Sequence, residues 1–147
     1  MGRRKRYALN VSHHVWQTRE AEGPTMHTGA DFAAMFEDIA NADREMVFAV
    51  SLNQRNEVID RHMVSMGTLT ASLLHPREAF KAAIVDSAAA VAFVHNHPSG
   101  NPQPSIQDRE LCEKLNECCR LLGIRFTDFV IVAGHSRYYS FAACGLL

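Results

Sequence analysis

The apolar and polar positions of the first half of the chain change from the period of a helix to that of a strand. Large apolar residues recur at helical spacing over 31–42, which predicts a first helix. Two segments with the pattern of strands, the apolar segment 45–52 and the half-apolar segment 57–66, flank the polar stretch 53–56. Because a short polar stretch between two such segments is typical of a turn, we expect these segments to form a β-hairpin.

The second half of the chain also alternates between segments with the pattern of a helix and segments with the pattern of a strand. Pro76 suits the first turn of a helix, and Gly123 suits a left-handed cap at the end of one. Helices that alternate with strands of a mixed sheet predict a three-layer α/β domain. The predicted elements are a helix at 77–87, a buried strand at 89–95, a helix at 105–122 with Ile106, Leu111, Leu115 and Leu121 facing inward, and strands near 124–132 and 138–141.

Length and composition suit one folded domain. The 147 residues are 47% hydrophobic, which is enough to bury a sizeable core. We expect a basic, partly disordered segment over residues 1–25 and the domain over 26–147. The longest apolar run is too short to span a membrane, and residues 1–20 lack the apolar stretch of a secretory signal, which together predict a cytoplasmic protein.

Charge and cysteine usage argue against two classes of protein. The formal net charge of −1 speaks against a broad nucleic-acid surface. The basic run of Arg3, Arg4, Lys5 and Arg6 could still make a weak contact with nucleic acid, although such runs are usually solvated tails. The four cysteines show no Cys-x-x-Cys spacing, so we expect reduced, mostly packed thiols and neither a zinc ribbon nor a disulfide framework.

The stretch from His95 to Asp108 has the layout of a metal site. His95 and His97 follow a buried strand, where alternate residues point to the same side, so both can reach one ion. The prolines of 98–104 predict a loop, after which Ser105 begins a helix and Asp108 lies one turn further on. If the loop folds back, the two histidines and Asp108 can bind zinc, because residues three apart share a helix face.

A site with three protein ligands leaves one tetrahedral position to water, as in catalytic zinc sites. Such an ion acidifies water and polarises a carbonyl, so the expected reaction is hydrolysis. A simpler interpretation stands beside this one. Ser105 and Asp108 also have the spacing of a helix capping box, and paired histidines occur in ordinary loops.

The same residues resemble a known motif. His-x-His, seven residues, Ser, two residues and Asp is similar to the JAMM motif of JAB/MPN+ metalloproteases, and the chain from about residue 31 onward is most similar to the RadC-like branch. The resemblance implies a JAB/MPN architecture, which is cytidine-deaminase-like. It is carried by Met66-Gly67-Thr68-Leu69, His75-Pro76-Arg77-Glu78-Ala79-Phe80, His95-Asn96-His97-Pro98-Ser99-Gly100, Pro104-Ser105, Ser140-Phe141 and Gly145-Leu146-Leu147.

The resemblance also implies a zinc-dependent peptidase or isopeptidase mechanism. Glu45 would act as base and later as acid, and Ser105 would stabilise the oxyanion. Glu57 competes for the first role, but it follows the predicted turn and should lie at the opposite end of the hairpin from Glu45. From spacing alone, a solvated strand end is as good an interpretation of Glu45 as a catalytic base.

Two other functions and one departure from the family pattern stand beside this interpretation. Some JAB/MPN domains act as binding scaffolds, and RadC-like proteins are often labelled DNA repair proteins, so a binding module with little or no peptidase activity is the alternative. Base deamination is disfavoured because His-x-Glu and Pro-Cys-x-x-Cys are absent. Asp128-Phe129 departs from the Asp-His common in the RadC-like branch. His13, His14, His27, His62 and His135 are predicted to be surface or loop residues.

Overall fold

The computed structural model describes residues 20–67 and 74–147. The basic run at 3–6, the predicted surface histidines His13 and His14, most of the 1–25 segment, and Thr68 and Leu69 of the family resemblance lie outside these residues. Gly23, near the end of the 1–25 segment, lies beside the first hairpin, because its N–H donates to the carbonyl of Val58.

The described residues form four helices and five strands. The first helix and the hairpin come before the long central part of the chain, as the pattern predicted. The helices are α1 (Gly29–Met35), α2 (Glu37–Ala40), α3 (Pro76–Val85) and α4 (Ile106–Leu122), and the strands are β1 (Met46–Leu52), β2 (Val58–Met66), β3 (Ala90–Asn96), β4 (Arg125–Ala133) and β5 (Arg137–Ser140).

The strands make one mixed sheet in the order β2-β1-β3-β4-β5. β1 is antiparallel to both β2 and β3, β3 is parallel to β4, and β5 is antiparallel to β4. The parallel pair needs a crossover, which α4 provides. Every residue of β3 is buried, so the strand that leads into the candidate site is the centre of the sheet.

Two apolar cores cover the two faces of the sheet, which confirms the predicted α/β architecture of helices around a mixed sheet. Phe32 and Phe36 from α1 and its end pack on one face with Val94 of β3. Phe80 of α3 and Leu111 of α4 pack on the other face. Because side chains alternate along a strand, His95 lies on the face that α3 and α4 cover.

The predicted helix over 31–42 is wrong in its extent, because two short helices take its place. Phe36 leaves helical geometry at φ −113° and ψ 23°, and it ends α1 and begins α2. The guanidinium of Arg61 donates to the carbonyl of Met35 at 3.0 Å and stacks 4.9 Å from the Phe36 ring centroid. In a continuous helix the carbonyl of Met35 would accept from an N–H four residues later. Here it accepts from the side chain of Arg61 on β2 instead.

The inward face of α4 also differs from the prediction. Leu111 and Leu115 are buried as expected, but Ile106 is 73% exposed and Leu121 is 88% exposed. At about 100° per residue, these two positions lie on the far side of the helix from the buried residues. The residues that α4 does bury are Asp108, Leu111, Cys112, Leu115 and Cys119.

His62 is not the surface or loop residue that its spacing suggested. It lies on β2, is partly buried, and places its Nε2 2.8 Å from Oδ2 of Asp86, which is itself buried at the end of α3. His27 and His135 are exposed, in agreement with the prediction. The pair of His62 and Asp86 joins the edge strand to α3.

The four cysteines are free thiols, as predicted. Cys112 and Cys119 are buried in α4, and burial raises the pKa of each thiol to about 12. Cys144 is exposed. Within 20–67 and 74–147, the structure contains no helix with the length and apolar character needed to cross a membrane.

Candidate metal centre

The central strand brings two histidines to one place. His95 lies between Val47 of β1 and Ile131 of β4 in the sheet. The N–H of His97 donates to the carbonyl of Val132 at 2.9 Å, so the parallel pairing continues one residue past the end of β3. The two imidazole rings lie on the same side, with centroids 4.9 Å apart and planes at 90°.

The loop after β3 orients the His97 ring. Nδ1 of His97 lies 2.8 Å from the carbonyl oxygen of Asn101, so this nitrogen carries the proton and donates it. The lone pair of Nε2 is then available to a metal, which is the usual arrangement for a ligating histidine. Gly100 turns the loop at φ +80°, and a Cβ at this position would lie 3.2 Å from Nη2 of Arg137.

Asp108 is held by the start of α4. The N–H and Oγ of Ser105 donate to Oδ2 of Asp108 at 2.7 and 2.8 Å, and Oγ of Ser105 accepts from the N–H of Asp108 at 3.1 Å. This is the capping box that the sequence offered as the simpler interpretation. The box does not exclude a metal site, because it aims the same carboxylate at the histidines.

The three side chains converge on one point. Nδ1 of His95 lies 3.1 Å from Oδ1 of Asp108, and Nε2 of His97 lies 3.2 Å from Oδ2. One donor atom from each residue fits within 4.8 Å of the other two, so His95, His97 and Asp108 could hold a metal ion. Nε2 of His95 is buried and has no hydrogen-bond partner in the described part of the chain, as fits a nitrogen ligand.

Charges at the site act on one another. Burial opposes the charge of His97, but its contacts with Asp108 and with the Asn101 carbonyl, together with the charges of Asp108 and Glu45, raise its pKa. Burial also opposes the charge of Asp108, yet its contacts with the imidazoles of His95 and His97 and the hydrogen bonds from Ser105 keep its pKa well below the usual range. The site therefore favours an ionised carboxylate beside the two imidazoles.

These residues line an open pocket of about 580 Å³. Glu45, which immediately precedes β1, is partly buried and reaches the same pocket, so the structure brings together all five residues that the sequence analysis singled out. The lining consists of Glu45, His95, His97, Pro98, Ser99, Asn101, Gln103, Ser105, Gln107 and Asp108.

Glu57 lies away from this pocket. It follows the turn between β1 and β2, where Leu52 pairs with Val58, whereas the site is at the other end, where Met46 pairs with Met66. Its carboxylate accepts hydrogen bonds from Asn53 and Arg55. The pairing of the strands therefore separates the two glutamates as the hairpin pattern predicted.

Sequence reasoning missed the contribution of Asn96. Its side chain is fully buried, and it hydrogen-bonds the main chain on both sides of Glu45. The available signal was a carboxamide at the end of a buried strand that is apolar up to His95, since such a group needs partners.

Phe129 stands where the RadC-like branch commonly has a histidine. It is buried and packs on Phe141, with ring centroids 5.0 Å apart.

Comparison with known proteins identifies a family. A family profile described as RadC-like JAB domain matches residues 26–146. A UPF0758 protein of Rubrobacter xylanophilus is 42% identical over 141 residues, which are 95% of this chain and 61% of that protein. A UPF0758 protein of Symbiobacterium thermophilum is 50% identical over 109 residues, which are 74% of this chain and 46% of that protein.

The chain thus spans about half to three fifths of the length of these two relatives. The family match itself covers most of the chain, including the two histidines, Ser105 and Asp108. It also includes Glu45 and the whole of the mixed sheet. The chain therefore belongs to the RadC-like JAB domain family.

Proposed function

We propose that this protein is a zinc-dependent hydrolase of the JAMM type, which cleaves an amide bond in a peptide or an isopeptide. One observation carries the proposal. Donor atoms of His95, His97 and Asp108 lie within 4.8 Å of one another, in an open pocket that a glutamate also lines. A purely structural metal site would use four protein ligands and would not need an open pocket.

The donor set suits zinc. Two imidazole nitrogens and one carboxylate are ligands that zinc accepts, and three protein ligands are typical of catalytic zinc sites. When bound, zinc would supply an acidified water and would polarise the carbonyl of the substrate. The side chain of Asn101 and the carboxamides of Gln103 and Gln107 are around the same pocket, where the polar main chain of a peptide could be accommodated.

Glu45 is the proposed proton carrier. Its carboxylate is close enough for its charge to raise the pKa of His97, and it lines the pocket beside the ligands. It would accept a proton from the attacking water and deliver that proton to the leaving amine as the amide C–N bond breaks. The products are then a carboxylate and an amine.

Ser105 is the proposed donor to the oxyanion. In the structure its hydroxyl donates to Asp108, and the residue lines the pocket. We propose that the hydroxyl rotates toward the substrate carbonyl oxygen as negative charge develops there. Such a donor stabilises the transition state more than the ground state.

The test combines metal analysis with hydrolysis of quenched fluorescent peptides and of a lysine-linked isopeptide. The zinc-loaded protein should contain about one zinc per chain and should cleave at least one substrate. Glu45→Gln should retain zinc and lower kcat by about 10²–10⁴-fold, because it removes the proton acceptor. His97→Ala should lose both zinc and activity.

Glu57→Gln is the matched control, since it changes a glutamate at the opposite end of the same hairpin. It should retain both zinc and activity. Full turnover by Glu45→Gln would refute the role of Glu45. Wild-type protein that binds zinc but cleaves none of the peptides or isopeptides would refute the proposed hydrolase.

A further inference from the structure

We propose that Asn96 is a positioning residue that holds Glu45 at the metal site; this inference rests on the proposed function. Asn96 lies between the two histidine ligands in sequence, but its side chain points to the other face of the strand. It is fully buried and contacts the chain about fifty residues earlier.

The side chain of Asn96 binds both peptide groups that flank Glu45. Its Oδ1 accepts from the N–H of Met46 at 2.6 Å, and its Nδ2 donates to the carbonyl of Arg44 at 2.8 Å. The carbonyl of Glu45 itself accepts from the N–H of Gly67 at 2.8 Å. Three hydrogen bonds therefore set the main chain at Glu45, and one side chain makes two of them.

The two Asn96 bonds lie just beyond the end of the β1–β3 pairing. On the β2 side the pairing of β1 reaches Met46, and the Gly67 bond to Glu45 extends it. On the β3 side the paired register stops at Val47 and His95, so that ladder does not hold the residue before Met46. The Asn96 carboxamide supplies the next contact, with its acceptor and its donor both used. A carboxamide is the group that can do this, because it offers one acceptor and donors on a single planar end.

The arrangement couples the base to the metal ligands. His95, Asn96 and His97 are consecutive, so the segment that places two ligands also places the main chain of Glu45. A shift of Glu45 by about 1 Å would leave the three ligands in place but would misalign proton transfer, which can reduce the rate on the order of 10²-fold.

Asn53 is a matched control, because it holds main-chain groups as Asn96 does but lies away from the metal site. It lies at the other end of β1, and its Oδ1 accepts from the N–H groups of Arg55 and Glu57 at 2.9 and 3.0 Å. It therefore resembles Asn96 in residue type and in its two contacts with the main chain. It does not line the pocket of the metal site.

The experiment compares the visible absorption spectra of Co²⁺-loaded wild type, Asn96→Ala, Glu45→Gln, the double variant and Asn53→Ala. We expect Asn96→Ala to bind about one Co²⁺ and to show the spectral change of Glu45→Gln. The double variant should show no further change, because both substitutions remove the same contact. Asn53→Ala should keep the wild-type spectrum.

Hydrolysis gives a second measurement. Asn96→Ala should lower kcat on the order of 10²-fold with little change in KM, whereas Asn53→Ala should change neither. Thermal melting identifies variants that fail to fold. If Asn96→Ala fails to fold, Asn96→Ser takes its place in every comparison, because one short hydroxyl cannot replace both the Oδ1 and the Nδ2 contact.

The cobalt spectra separate this inference from the proposed function. If no peptide is cleaved even by the wild type, the hydrolase proposal fails, but the spectra still decide whether Asn96 controls Glu45. The inference is overturned if Asn96→Ala has the wild-type spectrum, if its spectral change adds to that of Glu45→Gln, or if Glu45→Gln leaves the spectrum unchanged.

Discussion

At the scale of single residues, the buried carboxylates of Asp108 and Asp128 have opposite environments. Asp108 has imidazoles and hydrogen-bond donors around it, and its pKa is lowered despite burial. Asp128 accepts from Ser140 and from the N–H of Ala142, but burial outweighs these bonds and raises its pKa. The number of facing imidazoles and donors therefore decides the direction in which burial leaves each pKa.

Asp128→Asn should remove a decline of stability with pH. Because the pKa of Asp128 is raised in the folded chain, the folded state binds its proton more tightly than the unfolded state does. Asp128 thus favours folding at low pH, and this contribution is lost as pH rises from about 3.9 through the raised pKa. Urea unfolding at a series of pH values should show that the stability of wild type relative to Asp128→Asn falls over this range, because the other carboxylates contribute equally to both proteins.

Asp38→Asn is a control, because the stability that Asp38 contributes depends on pH with the opposite sign. Its side-chain hydrogen bond with Arg61 lowers the pKa of Asp38, so its contribution to stability is present at neutral pH and is lost as pH falls. An unchanged pH dependence in Asp128→Asn would contradict the assignment of the raised pKa to this carboxylate.

At the scale of elements, α4 is stabilised differently at its two ends. Ser105 caps the first turn through its hydroxyl, and Gly123 closes the last turn at φ +69°. Only the first end belongs to the candidate metal centre. The helix therefore allows stability and metal binding to be separated experimentally.

Ser105→Ala and Gly123→Ala should both lower the free energy of unfolding but should differ in their effect on zinc. Loss of the cap at Ser105 is expected to destabilise by about 0.5–2 kcal/mol, and a side chain in the left-handed region at 123 by about 1–2 kcal/mol. Ser105→Ala should also weaken zinc binding, because the hydroxyl orients Asp108. Urea unfolding and zinc competition with a chelator measure the two effects. Equal zinc affinity in both variants would show that the cap does not orient the ligand.

At the scale of the whole molecule, the candidate metal centre joins three elements. His95 lies on β3 and His97 directly follows that strand. Asp108 lies on α4, and Glu45 directly precedes β1. An ion bound there would link the sheet to the helix layer that covers it. Binding would consequently be coupled to the stability of the entire domain.

Zinc should raise the melting temperature of the wild-type protein. At a free zinc concentration 100 times Kd, the expected stabilisation is about 2.7 kcal/mol if the unfolded chain does not bind. Scanning calorimetry with and without zinc should show a shift of several degrees, whereas His97→Ala should show none. An equal shift in His97→Ala would place the stabilising ion elsewhere.

The local pattern of the sequence determined most of the elements and the three possible ligands of the candidate metal centre. The hairpin, the central strand and the long helix follow from apolar period, and the turn at 53–56 correctly separated Glu45 from Glu57. His95 and His97 share a side because they alternate on a strand, and Asp108 is fixed by the capping box three residues after Ser105. Each of these features depends on contacts within a few residues, which a pattern can show.

Only the tertiary structure decided how these pieces meet. Arg61 breaks the first helix at Phe36 from a distant strand, and the packing of α4 turns Ile106 and Leu121 outward. Asn96 reaches the main chain around Glu45 across fifty residues of sequence. These contacts depend on strand order and register, and local periodicity carries no information on which distant segments become neighbours.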